Sequence, residues 1–113
     1  MAFTGYHNIL GATAVDQELL AVGDTTEKIK NILLTNAGAV DSAAATVSLF
    51  IVKISQDLKA QEAYYMLKSV SIPVGVSLLL DDSDMVSFNN SASGYALYIT
   101  LGSSDKVDVI ITQ

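Results

Sequence analysis

Apolar and polar residues alternate along most of this chain, and the alternation almost never gives way to a helical period. Four segments carry apolar side chains at every second position: Val47-Leu49-Ile51, Val76-Leu78-Leu80, Tyr95-Leu97-Ile99-Leu101 and Val107-Val109-Ile111. A β-strand sends successive side chains to opposite faces, so this spacing gives each strand one dry face and one wet face. The connections are too short for crossover helices, which favours antiparallel pairing. The sequence therefore predicts an all-β chain.

Turn-forming residues divide the chain into eight or nine candidate strands. We predict strands at residues 5–13, 17–22, 28–36, 44–54, 64–72, 76–80, 85–89, 95–102 and 106–112. Pro73-Val74-Gly75 predicts a tight turn, because proline fixes φ and glycine accepts a positive φ. Residues 55–63 have helix-compatible composition and are interpreted as a projecting hairpin loop with room for one helical turn.

The predicted third strand differs from its neighbours because both of its faces are apolar. Ile29 and Leu33 fall on one face, and Ile32 and Leu34 fall on the other. A strand that is covered on both sides has this pattern.

The number and spacing of the strands favour an antiparallel Greek-key sandwich of the jelly-roll type with about eight strands. An immunoglobulin-like sandwich is the alternative, but the cysteine pair and core tryptophan of that fold are absent. At 113 residues the chain forms one domain, residues 1–113. Residues 1–14 are weakly periodic and could instead serve as an N-terminal arm that reaches a neighbouring molecule.

Composition argues against several functional classes. The chain has twelve carboxylates, six lysines and no arginine, with a formal net charge of −6. Nucleic acids and anionic lipids both require clustered cations, so neither is an expected partner. Cysteine is absent, which removes disulfides, thiolate metal sites and thiol nucleophiles. No signal peptide or membrane-spanning run is apparent, and we expect synthesis in the cytoplasm.

Few residues suggest chemistry. His7 is the only histidine, and it has no nucleophile motif such as G-x-S-x-G around it. Asp81, Asp82 and Asp84 share an acidic turn that could offer oxygen ligands to calcium, but their spacing is not that of an EF-hand, and solvated acidic turns are common. We expect no enzyme activity, no cofactor and no resident metal.

Aromatic residues are the better candidates for contact with a partner. Tyr64 and Tyr65 are adjacent in a predicted strand, so their rings are expected to face opposite ways, with one exposed unless both pack on neighbouring strands. Phe3 and Tyr6 lie in the candidate arm. Exposed tyrosines are enriched at protein interfaces, so Phe3, Tyr6, Tyr64 and Tyr65 are our candidate interface residues.

The order of several strand and turn motifs resembles that of small virion structural proteins of tailed bacteriophages. The resemblance covers about residues 28–113 and rests on a strand ending in Thr35-Asn36, a following strand over residues 46–51, the turn Ile72-Pro73-Val74-Gly75 and a final strand over residues 107–112. The group often opens its penultimate strand with Gly-Asp, where this chain has Ser93-Gly94-Tyr95.

The resemblance implies a non-enzymatic β-sandwich of the virion. The leading hypothesis is a capsid decoration, or cement, protein that binds the major capsid protein or other virion proteins and associates with itself, as a trimer by analogy with the group. A neck, tail or fibre-base component is the alternative. A carbohydrate-binding or receptor-binding module is a third hypothesis, which the absence of tryptophan weakens.

Overall fold

The computed structural model describes residues 4–12, 16–21, 23, 29–39, 43–53, 62–81, 88, 90, 94–102 and 104–112. Eight strands occur in these residues: β1 (Thr4–Leu10), β2 (Asp16–Leu20), β3 (Asn31–Asn36), β4 (Ala45–Lys53), β5 (Glu62–Ile72), β6 (Ser77–Leu80), β7 (Ala96–Leu101) and β8 (Lys106–Thr112). The described part of the chain contains no helix, and therefore none that could cross a membrane.

The strands form two four-stranded antiparallel sheets. Sheet A has the order β1-β8-β3-β6, and sheet B has the order β2-β7-β4-β5. The first strand pairs with the last, the second with the seventh, the third with the sixth, and the fourth with the fifth. These pairings describe one long hairpin rolled up into two sheets, which is the jelly-roll arrangement. The prediction of an all-β, jelly-roll-like sandwich of about eight strands is confirmed.

The core lies between the two sheets and follows the alternation of the sequence. Nine inward residues of β3, β4, β7 and β8 are almost completely buried: Ile32, Leu34, Val47, Leu49, Leu97, Ile99, Val107, Val109 and Ile111. Burying a large aliphatic side chain contributes about 1.5–3 kcal/mol, so this layer is the main source of stability.

The structure corrects several bounds of the predicted strands. β1 ends at Leu10 instead of residue 13, and β3 begins at Asn31 instead of residue 28, with Ile29 buried in the core ahead of it. β5 begins at Glu62, two residues earlier than expected, because Glu62 and Ala63 pair with Lys53 and Val52 of β4. This cross-strand pairing outweighs the helix-compatible composition of the segment. Val76, expected to begin the inward row of β6, precedes the strand and is exposed.

Two other predictions fall largely outside the described residues. The projecting loop predicted before β5 lies there, apart from Glu62 and Ala63. The strand predicted over residues 85–89 also lies outside the described residues, except for Phe88. Phe88 is not in a strand, and it packs against the core.

Two buried asparagines hold connections between the sheets. The Asn36 side chain donates to the Ile72 carbonyl at 2.9 Å and accepts from the Gly38 amide at 3.0 Å. The Asn90 side chain donates to the carbonyls of Ala21 and Tyr95 at 2.9 and 2.8 Å. Each amide forms hydrogen bonds to backbone groups of the connecting segments, which compensates for its own burial.

Candidate interaction surfaces

Three aromatic rings lie in one cross-strand row on the outer face of sheet B. We call Tyr98, Phe50 and Tyr65 the aromatic row. Phe50 lies directly opposite both tyrosines, and its ring centroid is 6.0 Å from that of Tyr98 and 5.1 Å from that of Tyr65. The flanking rings leave Phe50 only 7% exposed, although it points away from the core. Such ring pairs contribute about 0.5–1.5 kcal/mol beyond the burial of their area, so the row is a well-ordered surface.

The β2 end of this face is acidic. Glu18 lies opposite Tyr98 and accepts a hydrogen bond from its hydroxyl at 3.1 Å, and Asp16 accepts one from Thr100 at 2.6 Å. Burial raises the pKa of the Tyr98 hydroxyl above its ordinary value of 10.0, and the hydrogen bond to Glu18 and the charges of Glu18 and Asp16 raise it further. Tyr98 is therefore a neutral hydrogen-bond donor at physiological pH.

The β5 edge of sheet B carries the two interface tyrosines predicted from sequence. Tyr64 pairs with the core-facing Ile51 and Tyr65 with Phe50, so the rings lie on opposite faces, as expected. Both side chains are nevertheless about half exposed, at 52% and 50%. The Tyr64 ring lies 5.9 Å from the ring of Tyr95, and the Tyr65 ring packs against Phe50. The Lys68 ammonium lies 5.1 Å from the centroid of the Tyr65 ring, within range of a cation–π interaction.

β5 is an edge strand whose geometry disfavours the addition of another strand. Its register with β4 shifts between Val47 and Leu49 and again between Leu49 and Phe50. Ser69 at the bulge has a φ of 52°, a left-handed value that is uncommon for a residue other than glycine, and its amide donates to the Ser48 hydroxyl at 2.9 Å. Bulges and exposed lysines are common means of blocking edge-to-edge pairing. β5 therefore offers side chains rather than a free backbone edge.

Sheet A carries a second row on its own outer face. Tyr6 lies opposite Ile110, Ile110 opposite Leu33, and Leu33 opposite Leu79. We call these four residues the apolar row; it crosses all four strands of the sheet. Tyr6 is 73% exposed and Leu79 49% exposed, while Ile110 and Leu33 are partly buried by their neighbours.

A polar row runs beside the apolar row. It consists of Asn8, Asp108, Thr35 and Ser77, one from each strand. Asn8 donates to Asp108 at 2.7 Å, and the hydroxyls of Thr35 and Ser77 are hydrogen-bonded at 2.7 Å. These two hydrogen bonds link β1 to β8 and β3 to β6 on the outer face of sheet A.

The residues considered for catalysis and metal binding do not form a site in the described structure. His7 pairs with Val109 on the core-facing side of β1, and burial lowers the pKa of its imidazole below 6.5. Asp81 is exposed, whereas Asp82 and Asp84 lie outside the described residues. The described residues contain no cluster of three or more histidine, aspartate or glutamate side chains that could hold a metal ion.

A small open pocket of about 130 Å³ lies where the connections after β3 and β7 meet, lined by Asn36, Gly38, Ala43, Ser104, Asp105 and Lys106. Asp105 accepts hydrogen bonds from the amides of Thr46 and Gly102 at 3.0 and 2.9 Å. Since Asp105 and the buried Asn36 side chain both hold the backbone of these connections, the polar groups of the pocket serve the fold.

The predicted interface residues do not converge on one site. Tyr6 belongs to the outer face of sheet A, Tyr65 to that of sheet B, and Tyr64 to the core-facing side at the edge of sheet B. Phe3 lies outside the described residues. The alternation of the sequence indicated that Tyr98 faces outward. Membership of the two rows depends on the register between distant strands, so it could not be predicted for Phe50, Leu33, Ile110 and Leu79.

Comparisons with known proteins do not add to this picture. No protein-family model matches the chain, and neither a curated protein nor a solved structure matches it.

Proposed function

We propose that this protein is a non-enzymatic structural protein of a bacteriophage virion, and that it decorates and stabilises the assembled head. The proposal rests on the sequence resemblance together with a surface suited to binding. The observation that carries it is the β5 end of the aromatic row, where the half-exposed Tyr65 ring packs against Phe50 and lies 5.1 Å from the Lys68 ammonium. The jelly roll is compatible with this role, since viral capsid domains use it, although a fold alone does not specify a function.

The chemistry of this surface matches that of protein interfaces. Tyrosine supplies a large contact area with few rotatable bonds, and interface cores are enriched in aromatic residues. The packing of Phe50 against Tyr65 and Tyr98 holds part of the surface in place before binding, which lowers the entropy lost on association. The partner would be the major capsid protein, and its complementary surface would accept tyrosine rings and one cation.

Stabilisation of the head would follow from mass action. A protein that binds the assembled shell and not its dissociated subunits shifts the equilibrium towards the shell by RT ln(1 + [L]/Kd) per site. The net charge of −6 suits the outside of a particle, because an acidic protein has little affinity for the packaged genome.

The test is co-sedimentation of the purified protein with mature heads that lack it, from the phage that encodes it. We expect saturable binding that Tyr65→Ala weakens by about tenfold, the effect of losing roughly 1.4 kcal/mol. Val76→Ala is the matched control, since Val76 is similarly exposed and lies outside the aromatic row. Absence of binding by the wild-type protein, or equal binding by all three proteins, would contradict the proposal.

A neck, tail or fibre-base location is the second candidate, because the same surface could bind a protein there. Quantitative mass spectrometry of purified virions separates the two locations. Copies in proportion to the major capsid protein indicate decoration, whereas copies sufficient for a single ring indicate the neck or tail. A carbohydrate-binding role would instead require glycan binding that depends on Tyr64 or Tyr65, and a glycan array tests it directly.

A further inference from the structure

The outer face of sheet A has the properties of a self-association surface. Its apolar row runs through the middle of the face and includes Leu33 and Ile110 of the two central strands. Isolated exposed apolar residues are ordinary, whereas a contiguous apolar patch rimmed by polar residues is typical of an interaction site. On the outer face of β3, Leu33 is the apolar residue, whereas Ile29, which the sequence pattern placed on the same face, precedes the strand and is buried in the core. Within the described residues, the core covers only the Ile32 and Leu34 side.

Charge distribution favours a second copy of this chain as the occupant. Among the described outward-facing residues of sheet A, the charged ones are Lys106 and Asp108, whose charges cancel. On sheet B, the β2 edge presents Asp16 and Glu18. Two chains with a net charge of −6 each repel one another at any approach. The repulsion is weakest where the contact region itself is neutral, because more distant charges are screened over about 8–10 Å in physiological salt.

The arrangement of the rows is also self-complementary. A two-fold axis parallel to the strands, between β8 and β3, exchanges β1 with β6 and β8 with β3. This operation places Tyr6 over Leu79 of the second copy and Ile110 over Leu33 of the second copy. The polar row is likewise placed over itself in reverse order. Two twisted sheets packed face to face at about −30° keep the centre of such a row in contact.

We propose that two copies of the chain associate through the outer faces of their A sheets, with the apolar row at the centre of a two-fold interface. This inference goes beyond the proposed function, because it concerns the opposite side of the sandwich from the aromatic row. The face offers about a dozen outward residues, against roughly 20–30 per side in a standard interface. The dimer is therefore expected to be weak and dependent on concentration.

The test is sedimentation velocity of the full-length protein across a series of concentrations, without any virion component. The mass should rise from that of one chain, 11.9 kDa, towards twice that value. Higher salt should strengthen the association, because it screens the repulsion between two acidic chains.

Leu79→Lys and Tyr6→Lys probe opposite ends of the row. Each should raise the dimer dissociation constant at least tenfold, since two-fold symmetry introduces every substitution twice. Val76→Lys is the control: Val76 is 44% exposed, lies outside the row and receives the same added charge. Each added lysine reduces the net negative charge and therefore weakens the repulsion between two chains. Loss of the dimer in the two row variants would consequently be due to the changed contact and not to the overall charge. Circular dichroism verifies that each variant retains the fold.

Three results would overturn the inference. They are a monomer at every concentration, a trimer in place of a dimer, and a dimer that both row variants leave intact. Each of these outcomes is independent of whether the protein binds phage heads.

Discussion

Leu33 and Leu34 are adjacent in β3 and provide a matched pair for testing the architecture. Leu34 points into the core and is fully buried, whereas Leu33 belongs to the apolar row on the outer face. Replacing a buried leucine by alanine costs about 2–5 kcal/mol, because transfer free energy is lost and a cavity remains. Replacing a partly exposed leucine costs about 1 kcal/mol, since little of its area is removed from water. We expect Leu34→Ala to lower the free energy of unfolding by about 3 kcal/mol and Leu33→Ala by about 1 kcal/mol.

Urea denaturation followed by far-ultraviolet circular dichroism measures both effects. With an m-value of about 1.5 kcal/mol/M, the midpoint should fall by about 2 M for Leu34→Ala and by less than about 0.7 M for Leu33→Ala. Dilute protein keeps dimer formation from contributing to the Leu33→Ala result. Equal shifts, or a larger shift for Leu33→Ala, would refute the assignment of Leu34 to the core-facing side of β3 and of Leu33 to its outer side.

Three further predictions concern individual polar side chains. Asn36→Ala removes the buried amide that joins the connections after β3 and β5, and it should cost about 1–3 kcal/mol in thermal unfolding; an unchanged midpoint would contradict that role. Glu18→Gln should lower the pKa of Tyr98 towards 10.0, measured by NMR of the ring carbons, because a negative acceptor is lost; no change would assign the raised pKa to burial and the charge of Asp16. The lowered pKa of His7 means that the folded state disfavours its protonated form, so stability should be complete well above pH 6.5 and decline as the pH falls through 6.5 towards the folded pKa. His7→Leu should flatten that decline, and a slope that persists in the variant would assign it to other groups.

The sequence predicts the inward faces of the strands well because alternation is a local property. The residues of β4, β7 and β8 that join the core are those that the period of two selects, and the turn at Pro73-Val74-Gly75 has its glycine at a φ of 75°, as expected. Strand number and the absence of crossover connections also favoured the jelly roll over other classes. These features depend on residues that are close in the chain.

The pairing register between strands that are distant in the chain could not be predicted from the sequence. Tyr6 and Ile110 are far apart in the chain, and only the pairing of β1 with β8 makes them neighbours. The aromatic row likewise requires β4 to lie between β5 and β7. The bulge at Ser69 has no glycine to reveal it, so the two register shifts of β5 were not predicted. Candidate interface residues could therefore be named from sequence, but not grouped into surfaces.

A cryo-electron microscopy map of the mature virion would test the proposal that this sandwich binds virion proteins through its outer surface. We expect density for the eight-stranded sandwich repeated over the exterior of the head, with Tyr65 and Lys68 of β5 against the capsid shell. A head without this density, or density in which the aromatic row faces solvent, would overturn the proposal.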